Sequence, residues 1–101
     1  MVTLKVRELK GWREKIAGLI GKEKAESVLI RTRFGIHTFF LKFPIDVVIL
    51  DNQNKVVRTK TIRSNRTFLW NPIYEKVLEL PAGTIKEKKI KIEQEIKIVK
   101  Y

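Results

Sequence analysis

FGIHTFFLKFPIDVVILD, residues 34–51, is the stretch whose reading decides the fold. In its second half Val47 and Ile49 point one way, Val48 and Leu50 the other, and all four are apolar. A strand that is apolar on both faces belongs inside a sheet, covered on both sides. Pro44 has no backbone donor and fits only at the start of that strand or just before it. The same stretch carries His37, the only histidine of the chain.

Working outward, Asp51-Asn52-Gln53-Asn54 is a turn-forming cluster and residues 55–63 resume as a strand, which gives a hairpin. In this second strand Val57, Thr59 and Thr61 share one face and Val56, Arg58, Lys60 and Ile62 the other, so half of it is wet. Upstream, residues 2–6 alternate apolar and polar, and residues 27–31 read as a strand leading into the central stretch. Between them Trp12, Ile16 and Leu19 fit one face of a short helix, limited by a Gly18-Leu19-Ile20-Gly21 turn. Downstream, residues 64–71 have no clean period and read as a loop carrying Phe68, Leu69 and Trp70. Residues 74–80 alternate well, with Tyr74, Lys76, Leu78 and Leu80 opposing Glu75, Val77 and Glu79. Pro81-Ala82-Gly83 stops that strand. Thr84 and Glu87 have capping-box spacing, so residues 84–89 are expected to make one helical turn capped by Thr84. Residues 90–99 close the chain as a strand interrupted by a turn at Glu93-Gln94. Five to seven short strands with one or two short helices predict a mainly β fold, a small and mostly antiparallel curled sheet or barrel.

Composition sets the bounds. A length of 101 residues fits one domain, residues 1–101, with one core. Hydrophobic residues make up 44% and charged residues 33%, the mixture of a soluble globular protein. The longest apolar run is far too short to cross a bilayer, and no basic-then-apolar signal opens the sequence, so no membrane partner is expected. Without cysteine there is no disulfide framework, thiol nucleophile or thiolate metal site, and the expected address is cytoplasmic. A composition rich in Lys, Glu and Ile is of the kind reported for proteins from hot environments. The formal net charge is +11. Part of that excess is local: residues 52–66 hold Lys55, Arg58, Lys60, Arg63 and Arg66 and no acid. Such a face can collect nucleic acid, anionic ligands or acidic protein surfaces, or it can simply keep the exterior solvated.

Gly35-Ile36-His37-Thr38-Phe39, then Phe43-Pro44-Ile45-Asp46-Val47-Val48 with Leu50-Asp51, then Val77-Leu78-Glu79-Leu80-Pro81-Ala82-Gly83-Thr84, resemble the uncharacterised ACR family, also called domain of unknown function 192. The likeness runs from about residue 13 to 98 and takes in the Gly18–Gly21 element and Arg66. Leu41 replaces a methionine usual after the His-Thr segment, and Glu93-Gln94 replaces a usual Gly-Asp turn. The resemblance implies a compact β-rich fold and brings no established activity.

The residues themselves offer two sites. In the first, His37, Thr38, Asp46, Glu79 and the Pro81-Ala82-Gly83-Thr84 corner line a pocket with Arg66 over its mouth, for a small, anionic or peptide ligand. His37 is the one side chain expected to titrate near neutrality, and Asp46 or Glu79 could orient it. The structural reading of His37 and Thr38 is a hydrogen-bonded tie from loop to barrel, and that of Asp46 is a carboxylate satisfied by nearby donors. One histidine with one or two acids is the minimum for a weak metal site, and no metal, phosphate-loop or nucleophile motif occurs. Catalysis is therefore the less favoured form, and no cofactor is expected. In the second site, Lys55, Arg58, Lys60, Arg63 and Arg66 with Trp70 make a nucleic-acid-binding face. Its structural reading is that Phe68 and Trp70 fold their loop back onto the barrel.

Overall fold

A computed structural model describes residues 2–9, 26–39 and 41–101. The helix expected over residues 12–19 and the glycine turn after it lie outside the described residues. Among those described, a six-stranded sheet runs in the order β5-β4-β7-β2-β1-β8 and a two-stranded ribbon pairs β3 with β6. The strands are β1 (Val2–Leu9), β2 (Val28–Arg31), β3 (Ile36–His37), β4 (Ile45–Leu50), β5 (Val56–Ile62), β6 (Thr67–Phe68), β7 (Lys76–Pro81) and β8 (Ile96–Lys100), with one short helix, α1 (Thr84–Glu87). The protein is mostly β and mostly antiparallel, as its alternation predicts. The exceptions are the pairings of β1, which runs parallel to both β2 and β8.

β4 is the strand that the opening stretch foretells. Its six residues are all buried, and it pairs antiparallel with β5 on one side and β7 on the other. One face of the sheet forms a core to which every one of the six strands contributes: Leu4, Val6, Leu29, Val48, Leu50, Val56, Leu78, Leu80 and Ile96, joined by Ile90. A sheet whose two margins share one core must curl. Its margins meet at one corner, where Lys55 bridges Glu95, Val56 N–H donates to Gln94 O at 2.9 Å and Glu93 N–H donates to Val56 O at 2.7 Å. The result is a half-barrel closed at one end. The opposite face of β4 packs under the ribbon through Ile45, Val47, Ile49, Ile62, Phe68, Trp70 and Val77.

Three local expectations are corrected. The pairing of β4 with β5 shifts between Ile49, which opposes Arg58, and Leu50, which opposes Val56. This bulge turns Val56 into the barrel core beside Leu50, while Val57 packs on the other cluster, so the strict alternation read across 55–63 breaks there. Thr67 and Phe68, read as loop, form β6, because a two-residue strand leaves no periodicity to detect. The helix begins without a capping box. Gly83 takes the cap position at φ 96°, Thr84 Oγ1 donates to Pro81 O at 2.6 Å, and no side chain of the expected pair caps the turn. Glycine suits that left-handed backbone, and the chain takes the helix entrance with help from elsewhere.

The Glu93-Gln94 turn forms as expected, with Glu93 at φ 72°. A non-glycine residue in the left-handed region is strained by roughly 1 kcal/mol. Glu93→Gly is expected to raise unfolding stability by up to about 1 kcal/mol, partly offset by greater freedom of the unfolded chain. Urea unfolding of the two proteins measures it, and a loss of stability would contradict the assigned backbone.

Candidate functional site

Asp46 lies at the start of β4 on the barrel-core face and is 1% exposed. One carboxylate oxygen accepts from Thr61 Oγ1 at 2.7 Å, across the β4–β5 pair. The other accepts from the backbone N–H groups of Gly83 at 3.0 Å and Ile85 at 2.9 Å. Asp46 therefore supplies the helix cap that Thr84 was expected to give, and does so from another strand. Its bonds tie β5, β4 and the Pro81–Thr84 corner together, and both of its oxygens are occupied. This is the structural reading of Asp46.

Thr38 is fully buried and acts as a second tie. Its Oγ1 donates to Arg63 O at 2.6 Å and accepts from Arg66 N–H at 2.9 Å. Its backbone N–H donates to Arg66 O at 2.8 Å and its carbonyl accepts from Asn65 N–H at 2.9 Å. The turn between β5 and β6 thus spends its polar backbone on Thr38. A four-residue link would ordinarily close a hairpin, yet here β5 and β6 belong to different sheets. Thr67 pairs instead with His37, and Phe68 with Ile36. At the ribbon's outer end Gly35 has φ 89°, and a Cβ there would collide with the Leu69 side chain and sit 2.8 Å from Phe68 O.

Between the splayed strands β5 and β6 lies a groove of about 320 Å³, lined by residues 60–63 and 66–68. Its charged side chains are Lys60, Arg63 and Arg66, all exposed, and among the described residues no acid lines it. Phe68 forms its buried floor, and the Arg58 guanidinium lies 4.6 Å over the Phe68 ring while donating to Leu69 O at 3.1 Å. Arg58 thereby spans from β5 to the segment after β6.

The first expected pocket is not assembled as one concavity. Asp46 does meet the corner of Pro81, Ala82, Gly83 and Thr84. Glu79, however, opposes Val47 while Asp46 opposes Leu80, so the two acids stand on opposite faces of the sheet. His37 is exposed on the ribbon, stacked on Phe39 with ring centroids 4.9 Å apart, and among the described residues no hydrogen bond reaches its ring. Arg66 lines the groove rather than covering a mouth above His37 and Asp46. The basic set divides as well. Lys60, Arg63 and Arg66 converge, Lys55 sits at the barrel corner opposite Glu95, and Arg58 is engaged with Phe68. Trp70 is buried, and its Nε1–H donates to Tyr74 O at 2.8 Å, so it folds the loop back onto the sheet. Thr61, Ile62 and Thr67 complete the groove without having been singled out from sequence, while Phe68, read there with the basic loop, makes its floor. A four-residue link whose second strand carries an inward Phe was the only local trace.

Glu79 has its own chemistry. It is 4% exposed, flanked across the sheet by Val28 and Val47, and among the described residues its Oε2 has no hydrogen-bond partner. Burial pushes its carboxyl up from the ordinary 4.5 to about 7. Such an acid is largely protonated below neutrality, when it behaves as a neutral hydrogen-bonding group. Among the described residues no group of three His, Cys, Asp or Glu is placed to hold a metal ion, and no helix is long and apolar enough to cross a membrane.

A family model described as uncharacterised ACR, domain of unknown function 192, matches residues 2–98. The chain belongs to this family, and the match takes in β1 beyond the segments that carry the motif resemblance. No curated protein and no solved structure matches the chain.

Two variants test these assignments. Removing the buried carboxylate in Asp46→Ala is expected to cost about 3 kcal/mol, because three charge-assisted hydrogen bonds vanish and the start of α1 loses its cap. The amides of Gly83 and Ile85 would lose hydrogen-exchange protection before the rest of the sheet does. For Glu79 the folded pKa lies above the unfolded one, so its contribution is fully present below pH 4.5 and is lost as pH rises through about 7. The loss amounts to at most about 3 kcal/mol at 1.36 kcal/mol per pH unit. Glu79→Gln is expected to flatten that slope and to be the more stable protein above pH 7. Parallel pH profiles for the two proteins would disprove the assignment.

Proposed function

We propose that the protein is a small binding domain whose ligand is anionic and seats in the groove between β5 and β6. The observation that carries this reading is the convergence of Lys60, Arg63 and Arg66 on one hollow, with no acid in its lining among the described residues. Its size falls at the lower end of the range for small-ligand sites, roughly 300–1,000 Å³. Arg63 and Arg66 offer planar forks that suit carboxylate or phosphate oxygens, and Thr38 fixes the backbone that presents both. The apolar floor of Phe68 lowers the local dielectric and strengthens those contacts. Among the described residues the hollow is lined by three cations, two threonine hydroxyls and apolar side chains, a set that suits holding an anion.

The nucleic-acid reading uses the same three cations. It loses Trp70, whose ring is buried and whose N–H is already engaged, so Trp70 is not free for base stacking.

Isothermal titration with pyrophosphate, a dicarboxylate and a short single-stranded oligonucleotide separates the ligand classes. Each of Arg63→Ala and Arg66→Ala is expected to weaken the preferred anion about tenfold, at roughly 1.4 kcal/mol, without moving the melting temperature. Full affinity in both variants would dismiss the groove as the site. An affinity for the oligonucleotide alone, falling steeply with salt, would move the reading to nucleic acid.

A further inference from the structure

The groove is bordered by backbone as well as by cations. β5 is a marginal strand of the six-stranded sheet, with β4 as its strand partner on one side. Its other side is used at the barrel corner by residues 54–56. Beyond Val56, among the described residues, no strand pairs with that side, and Arg58, Lys60 and Thr61 are exposed. Across the groove β6 has β3 as its one strand partner among the described residues, which leaves its second edge unpaired as well. Two consecutive strands that would ordinarily pair with each other are thus held apart by the Thr38 wedge, with the hollow between them.

We infer that this groove receives an extended acidic peptide, which adds as a strand to the outer edge of β5. The inference rests on the anionic-ligand reading of the same groove and names the ligand class. An unpaired strand edge presents N–H and C=O groups at a spacing that matches another extended polypeptide. Neither a phosphate ion nor a nucleic-acid backbone can satisfy that alternating pattern. The three cations select acidic side chains or a terminal carboxylate, and a segment rich in lysine is repelled. The groove is short, spanning residues 60–63 along β5, so roughly three or four ligand residues fit at about 3.3 Å each. Arg58 bounds one end by reaching over Phe68, and the turn carrying Arg63 and Arg66 bounds the other.

The test uses the whole chain and a fluorescein-labelled six-residue peptide of alternating aspartate and valine, read by fluorescence polarisation. Controls are the lysine–valine counterpart, the same acidic peptide N-methylated at alternate peptide bonds, pyrophosphate and a single-stranded oligonucleotide. The acidic peptide is expected to bind at least about tenfold more tightly than the lysine peptide, and N-methylation is expected to cost about tenfold or more. In hydrogen exchange, alternate amides within residues 58–62 would gain protection with the peptide and not with pyrophosphate. Peptide binding that survives N-methylation and leaves those amides unchanged overturns strand addition. If pyrophosphate or the oligonucleotide binds and the peptide does not, the peptide inference fails and the anionic groove stands. If no probe binds, both fall. The N-methylated peptide alters the ligand alone, so misfolding of a variant cannot mimic the result.

Discussion

A single buried carboxylate holds the half-barrel to its corner. Asp46 has no route to solvent and must find its compensation inside the protein, where an ionised group left unpaired is costly. It finds three donors on two other segments of the chain, Thr61 on β5 and the backbone of Gly83 and Ile85 at the start of α1. The helix is four residues long and too short to persist alone. It exists because this carboxylate meets its first turn. The same bond set fixes the start of β4 against β5, and so places the strand that borders the groove.

Thr38 performs the matching service on the other side of the sheet. By absorbing the polar backbone of the turn between β5 and β6, it diverts β6 to the ribbon and opens a hollow where a hairpin would have closed. The groove is therefore a product of local polar satisfaction, and its three cations are delivered by the end of β5 and by that turn. Glu79 is the contrast. It is buried on the sheet face opposite Asp46, with one oxygen unmatched among the described residues, and it offsets its burial by keeping a proton.

The readable parts of the sequence are those whose cause is local. Four β-branched or aliphatic residues in a row, entered through Pro44 and left through a turn cluster, read as a doubly covered strand, and β4 is one. The turn cluster after it gives the β4–β5 hairpin, and the alternation over residues 74–80 gives β7 with Glu79 and Leu80 on opposite faces. The structural tie proposed for Thr38 is found, whereas His37 stays outside it. What escaped has a non-local cause. The cap on α1 comes from a residue 37 positions before Gly83 and 39 before Ile85, and a local Thr-x-x-Glu pattern masked it. The bulge at Val56 follows from the need to bring the sheet margin to Glu93 and Gln94, which no window around Val56 contains. The groove depends on the failure of two neighbouring strands to pair, and periodicity says nothing about partners.

β1 and β8 lie side by side, in parallel, with Val2 opposite Ile96 and Val6 opposite Lys100. Of the six strands of this sheet, the first in chain order thus has the last as its neighbour. Until β8 arrives, β1 has an uncovered flank and the barrel core lacks Ile96. Closing so long a loop is slow because its entropy must be surrendered before the contacts return anything. The nascent half-barrel consequently waits as an incomplete sheet, and β1 remains its vulnerable margin until β8 has been made.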